Sequence, residues 1–276
     1  MTPAPLTWLY APGDRPHIVA KALLSGADVV VIDLEDAVAP DRKDYARAAT
    51  AELLSEAQPV AVHVRVNAVD GPLAAADLEV VAALPGVSGV RLPKVTSARQ
   101  VVGIAEGTRS AEGGVPALYA LLETALGVEH AYAIAAAHPS LRGIALGEAD
   151  LRADLGVRAD AGLDWSRSRV IVAARAAGLA PPPQSVHPDT RDLDALAASC
   201  ARGRALGFLG RAAIHPRQLP VIERAYLPTA EEIEEAELVV KTAAAEQGAQ
   251  TLPDGGFVDA AVVAAAQRTL ALARRG

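Results

Sequence analysis

Charged side chains in this sequence cluster just after short apolar runs. Asp33, Glu35 and Asp36 follow Val29-Val30-Val31-Ile32, Arg65 and Asn67 close the run that begins at Val60, and Lys94 follows Gly89–Pro93. Glu123 follows Ala117–Leu122, Glu148 and Asp150 follow Gly143–Leu146, and His187 and His215 follow the last two runs. Acids on one rim with an arginine and a lysine suit a divalent cation held beside an anion clamp. Glu123 and Asp150 stand one repeat apart, so neighbouring strands would present both carboxylates to one ion. Two carboxylates completed by water and substrate oxygens suit Mg²⁺. With a single cysteine in the chain and the histidines set apart in strand order, zinc fits less well. Arg65 offers a planar fork to a substrate carboxylate, or to a structural ion pair. Any one of these residues could be a solvated strand end or a helix cap; the set is what points to a site.

Such a rim needs strands that end together. Short β-branched runs are expected as strands at Thr7–Tyr10, Asp28–Asp33, Val60–Val66, Gly89–Pro93, Ala117–Leu122, Gly143–Leu146, Gln184–Val186 and Ala212–Ile214. Between them lie stretches with helical spacing: Pro16–Ser25, Asp41–Ser55, Leu73–Leu84, Ala98–Arg109, Gly127–Ala137, Ser166–Ala177, Asp192–Leu206 and Arg217–Ala225. Runs that are apolar on both faces suit a parallel sheet covered by helices. The alternation predicts an α/β fold, a closed (β/α)₈ TIM barrel over residues 1–226 with its site at the C-terminal ends of the strands. An open doubly wound sheet is the alternative, weakened because Ala11-Pro12-Gly13-Asp14 stands where a dinucleotide-binding glycine motif would be. Residues 227–276 break the pattern and predict a C-terminal helical lid or oligomerisation segment. It comprises an acidic helix at Ala230–Gln247, a turn at Pro253-Asp254-Gly255-Gly256 acting as a glycine hinge, and a last alanine-rich helix.

Composition narrows the function. The chain has 276 residues, a net charge of −7, 51% hydrophobic and 3% aromatic residues. A net negative chain poor in aromatics argues against nucleic acid and anionic membranes as partners. No apolar run approaches the ~18 residues of a membrane span. Met1–Leu6 lacks the pattern of a secretory signal. With the lone Cys200 excluding an internal disulfide framework, a cytoplasmic protein is expected. Cys200 falls within a helical stretch and reads as a core thiol rather than a nucleophile.

At the level of motifs the chain resembles the CitE-like acyl-CoA lyases, the citrate lyase β-subunit branch of the HpcH/HpaI aldolase superfamily. The resemblance rests on an ordered set: Tyr10-Ala11-Pro12-Gly13-Asp14-Arg15-Pro16, Val31 through Val38, Arg65-Val66-Asn67, Leu92-Pro93-Lys94, Leu122-Glu123-Thr124-Ala125, Gly147 through Leu151, Ile214-His215-Pro216 and Gly256-Phe257-Val258-Asp259. It implies a barrel that binds Mg²⁺ through Glu123 and Asp150, with Arg65 on the carboxylate of a 2-oxo acid. Glu35, Asp36 and Lys94 would surround the metal's waters, and Gly147, Glu148 and Ala149 would border the substrate. It further implies a homotrimer, or a multiple of one, in which the C-terminal segment closes over a neighbour and delivers Asp259 to the reacting carbon. Arg15 is the first candidate for the phosphates of coenzyme A, with Arg91 and Lys21 behind it. His215 reads as a helix cap in preference to a ligand contact. Two departures stand out. Family members often read Gly-Ala-Glu-Asp-Leu where this chain has Gly147-Glu148-Ala149-Asp150-Leu151, and the uncharged Gln184 stands where an acid is common.

The implied reaction is reversible carbon–carbon cleavage of a carboxylated 3-hydroxyacyl-CoA (citryl-, malyl- or citramalyl-CoA type) to a 2-oxo acid and an acyl-CoA. The alternatives are a CoA-independent class II 2-oxo-acid aldolase, hydrolysis of the thioester, a carrier-dependent subunit of a citrate lyase complex, and a non-catalytic binding protein. Class II aldolases carry a histidine after the second-strand acid, where this chain has Glu35-Asp36-Ala37.

Overall fold

The computed structural model describes residues 4–109, 114–245, 250–251 and 256–275. Seven parallel strands form one sheet: β1 (Thr7–Pro12), β2 (Val29–Asp33), β3 (Ala61–Arg65), β4 (Gly89–Leu92), β5 (Leu118–Leu122), β6 (Leu141–Leu146) and β7 (Arg211–Ala213), in the order β6-β5-β4-β3-β2-β1-β7. The helices between them are α1 (Pro16–Leu23), α2 (Lys43–Leu54), α3 (Ala74–Val81), α4 (Ala98–Gly107), α5 (Ala125–Glu129), α6 (Ala131–Ala135), α7 (Glu148–Leu155), α8 (Asp164–Ala176), α9 (Leu193–Leu206) and α10 (Leu219–Tyr226). No helix among the described residues is long and apolar enough to cross a membrane.

The expected strand at Gln184–Val186 is reduced to one parallel bridge, Gln184 to Arg211. Pro181, Pro182 and Pro183 precede it, and proline has no N–H to give a ladder. Gln184 nevertheless donates its N–H to the Gly210 carbonyl at 2.9 Å and accepts from Ala212 N–H at 3.0 Å, extending the sheet by one position beyond β7. On the β6 side the contact is a side-chain one, from Glu148 N–H to Ser185 Oγ at 3.2 Å.

Strand alternation divides the apolar residues. Val62, Val64, Val90 and Leu92 pack in the main core under the helices, so the residues between them, His63, Arg65, Gly89 and Arg91, occupy the opposite face. On that inner face Trp8, Val29 and Val31 form a second cluster. Register places Asp33 beside Arg65, and Arg65 beside Arg91.

After Tyr226 the chain forms α11 (Ala230–Ala245) and α12 (Ala260–Ala273), with a short antiparallel pair, β8 (Gln250–Thr251) and β9 (Phe257–Val258). Ala236, Val239, Val258 and Ala266 make an apolar cluster distinct from the main core. Both roots of the hairpin are tied down: Arg204 of α9 binds Glu232 at 2.7 Å, and Arg275 binds Asp28, just before β2, and the Ala4 carbonyl. The expected hinge at Gly255 and the turn at Asp254 lie outside the described residues.

Candidate active site

Asp33 organises the end of β2. Its buried carboxylate accepts Nε and Nη2 of Arg65 at 2.8 and 2.6 Å, and the backbone N–H groups of Glu35 and Ala37 at 2.9 and 3.0 Å. The fork of Arg65 is therefore filled on one edge by the protein itself. Its remaining nitrogen, Nη1, lies 3.0 Å from Glu35 and 3.5 Å from Asp36. Burial opposes the charge on Arg65, but the bonds to Asp33 and the fields of Asp33, Tyr10 and Glu35 hold the guanidinium above its ordinary value. Asp33 received no role from sequence reasoning. Its register with Arg65 on the neighbouring strand was the signal that could have assigned one.

Lys94 joins two acids. It adopts φ +56°, the left-handed region that costs a side-chain-bearing residue on the order of 1 kcal/mol. From there its backbone N–H reaches Glu123 Oε2 at 3.0 Å and its ammonium reaches Glu35 Oε1 at 2.7 Å. Burial lowers the ammonium, yet the bond to Glu35 and the fields of Glu35, Asp36 and Glu123 more than reverse this, leaving it raised. Burial also raises the Glu35 carboxyl, against the pull of Arg65 and Lys94.

Glu123 is 2% exposed. Burial first, then the fields of Glu35 and Asp150, push its carboxyl up to about 8 against the opposing fields of Arg65 and Lys94. Gly147 makes its pocket: a Cβ there would lie 2.3 Å from Glu123 Oε1. Asp150 sits exposed in the first turn of α7, a helix absent from the sequence expectation, where the N-terminal dipole favours an acid.

Glu123, Asp150, Arg65, Asp33 and Asp36 line one cavity of about 350 Å³, with Gly147 and Ala149 on its wall. Among the described residues no cluster of three or more His, Cys, Asp or Glu side chains could hold an ion. A cation here would rest on the two carboxylates, with water or substrate oxygens completing its shell. A carboxyl raised by burial and then by neighbouring acids is the environment that a divalent cation relieves, so the donors fit a hard ion.

Other expected residues go elsewhere. The carboxylate of Glu148 turns to Arg167, which donates to it at 2.9 and 2.7 Å and also binds Asp160 and Asp164. Asp259 caps α12, accepting from the N–H groups of Ala261 and Val262 at 2.9 Å each. Arg15 is exposed at the start of α1, just past the end of β1, while Lys21 lies in that helix's last turn. Arg91 lies on the inner face of the sheet, in register with Arg65, and is buried, so it is not a surface ligand for nucleotide phosphates. Asn67 binds Asp77 through its N–H and side chain, and His215 caps the 216–218 turn by accepting from Arg217 N–H.

Comparison with known proteins follows the same lines. Residues 6–216 match the family model described as HpcH/HpaI aldolase/citrate lyase. A citrate lyase subunit beta-like protein of Mycobacterium tuberculosis is 36% identical over 271 residues, covering 95% of this chain and 93% of that protein. A (3S)-malyl-CoA thioesterase of Cereibacter sphaeroides is 35% identical over 278 residues, covering 96% and 93%. The crystal structure of protein CitE from Mycobacterium tuberculosis, in complex with magnesium, acetoacetate and coenzyme A, superposes with a TM-score of 0.82 at 35% identity over 98% of each chain.

Proposed function

Because the chain belongs to the HpcH/HpaI aldolase/citrate lyase family, we propose that it is a Mg²⁺-dependent carbon–carbon lyase acting on a carboxylated 3-hydroxyacyl-CoA. The observation that carries this is the buried Glu123 carboxyl beside Asp150 in a cavity that also holds the Arg65 guanidinium. The fold is read as a (β/α)₈ barrel whose eighth strand is the Gln184–Val186 segment. Supporting this, residues from all seven strands or their ends and from Gln184–Val186 line the same cavity.

Glu123 and Asp150 would hold Mg²⁺, which when bound supplies Lewis-acid polarisation of a substrate oxygen. Arg65, locked in place by Asp33, would orient the carboxylate of the departing 2-oxo acid with the part of its guanidinium that faces Glu35 and Asp36. Lys94 and Glu35 fix the loop around Glu123, and Gly147 and Ala149 leave room for the substrate. In cleavage a base accepts the proton of the 3-hydroxyl, and the electron pair of the breaking carbon–carbon bond passes to the thioester enolate as the 2-oxo acid forms. Asp259 would return a proton to the enolate carbon, and in condensation remove one.

Asp259 and the cation site stand on different parts of the fold. The hairpin carrying it is tied near the starts of the strands, by Arg275 to Asp28, and its own apolar cluster is separate from the main core. We therefore read α11 and α12 as a lid for a neighbouring subunit in a homotrimer or a multiple of one. Exposed Arg15 is read as a contact for coenzyme A phosphates, and a reducing, cytoplasmic setting suits the lone cysteine.

A second reading, thioester hydrolysis, draws on the likeness to the malyl-CoA thioesterase. Incubating the protein and Mg²⁺ with citryl-, malyl- and citramalyl-CoA separates the two. A lyase releases a 2-oxo acid together with acetyl-CoA, whereas a thioesterase releases free CoA and the intact hydroxy acid. Failure to release a 2-oxo acid from any of the three would exclude the lyase.

A further inference from the structure

The inner face of β4 carries a cation that this mechanism leaves unused. Arg91 is 3% exposed. Its Nε donates to Nδ1 of His63 at 3.3 Å, and its guanidinium carbon lies 6.0, 5.9 and 5.7 Å from the ring centres of Trp8, Tyr10 and Tyr119. Among the described residues no carboxylate lies within ion-pair distance of it. The acids nearest in the site are engaged: Asp33 holds Arg65, and Glu35 holds Lys94 and faces Arg65. His63 supplies no counter-charge, because burial and then Arg91 itself keep the imidazole well below its usual range. It stacks on Tyr119 with ring centres 4.4 Å apart, and Gly89 leaves space for this pair: a Cβ there would lie 2.7 Å from Tyr119.

An arginine stays charged in a protein, and a buried charge is unfavourable until it is paired. With Nε spent on His63, Nη1 and Nη2 of Arg91 have no acceptor among the described residues. The group lines the cavity of Arg65, Glu123 and Asp150 on one side and an apolar cavity of about 140 Å³ on the other. Arg91 is also the register partner of Arg65, and both guanidiniums face the ring of Tyr10, at 5.9 and 5.3 Å. Neighbouring strands lie about 4.8 Å apart, so the two arginines enter the same cavity from adjacent positions.

We propose that Arg91 binds the second carboxylate of a 2-oxo diacid, making the site selective for substrates whose acid fragment carries two carboxylates. The inference rests on the lyase reading and adds to it the class of acid. A fragment ending in a methyl group would offer Nη1 and Nη2 no acceptor, and a site that holds a polar group of its substrate rejects the analogue lacking it.

Citryl-CoA and citramalyl-CoA test this, because their acid fragments differ by one carboxylate. The wild type should favour citryl-CoA. Arg91→Met should lose about 10²-fold or more in kcat/KM on citryl-CoA, with citramalyl-CoA changed by no more than about threefold. Calorimetry with oxaloacetate and pyruvate, in Mg²⁺ and without any thioester, reads binding apart from turnover. The wild type should bind oxaloacetate at least ~10-fold tighter, and Arg91→Met should erase the difference. A preference that survives Arg91→Met, or wild-type protein that binds both acids equally, overturns the proposal. If neither thioester is cleaved the lyase reading fails, while the calorimetry still decides Arg91. Should Arg91→Met not fold, Arg91→Lys decides, since it keeps the charge and loses the fork: a loss confined to the diacid supports the proposal, and an equal loss on both acids overturns it.

Discussion

The backbone N–H of Lys94 points at Oε2 of Glu123 from 3.0 Å, and it does so from a left-handed conformation, φ +56°. One residue thus sets the Glu123 carboxylate with its backbone and Glu35 with its side chain. The strained conformation is what aims both groups at once.

Comparing Lys94→Gly with Lys94→Ala isolates that strain. Both lose the ammonium, but only glycine adopts positive φ freely. Lys94→Gly should be the more stable of the two by about 1 kcal/mol in urea denaturation, with activity lowered similarly in both. Equal stabilities would show that the conformation carries no strain.

Asp33 acts on the reaction through Arg65. Asp33→Asn keeps the shape but removes the charge that holds the fork, so kcat/KM should fall at least ~10-fold through misplaced substrate. Mg²⁺ affinity should stay within about threefold of wild type, because Asp33 is not one of the proposed ligands. A matching loss of Mg²⁺ binding would place Asp33 in the cation site instead.

Much of this was legible in the sequence, for reasons that particular residues make plain. Strand ends were marked by charge following apolar runs, so Asp33, Arg65, Lys94 and Glu123 could be placed at or just after the ends of β2, β3, β4 and β5. What could not be read was pairing across strands. Asp33 and Arg65 are 32 residues apart, and nothing in either neighbourhood shows that they bind each other. Glu148 looked like a cavity residue because its partner Arg167 stands 19 residues on, in α8. Helix α7 was missed because Glu-Ala-Asp-Leu-Arg-Ala-Asp-Leu buries only Leu151 and offers no apolar stripe. Arg91 stood behind Arg15 as a candidate for coenzyme A phosphates because its position in strand alternation, in register with Arg65, was not used.

Asp259 has two separable roles. Asp259→Asn keeps a side chain that caps α12, whereas Asp259→Ala loses the cap at about 1 kcal/mol. Both should lower turnover by ~10²-fold or more if the carboxylate carries the proton, with only the alanine variant melting earlier. Mixing Asp259→Asn chains with Glu123→Gln chains should restore activity when subunits exchange. Exchange without recovery would rule out a shared site.

The ion-pair network around Arg167 makes acid stability measurable. The bonds from Arg167, aided by Arg202 and Arg152 and opposed by burial, hold Asp160 down to about 2 from 3.8. A carboxyl lowered in the folded state stabilises it fully above the unfolded value and loses that contribution as pH falls through the folded one. The stability gap between wild type and Asp160→Asn should therefore be constant above pH ~4 and shrink between about pH 4 and 2. A gap that does not change with pH in that window would show that the pairing leaves Asp160 untouched.

The central claim is that Glu123 and Asp150 hold the Mg²⁺ on which cleavage depends. Titrating Mg²⁺ into metal-free protein, while following binding heat and 2-oxo acid release in parallel, tests it most directly. Both signals should saturate over the same concentration range, and Glu123→Gln and Asp150→Asn should each weaken both while leaving the thermal unfolding of the protein cooperative. Full 2-oxo acid release in EDTA, or Mg²⁺ binding unchanged in Glu123→Gln, would contradict the account.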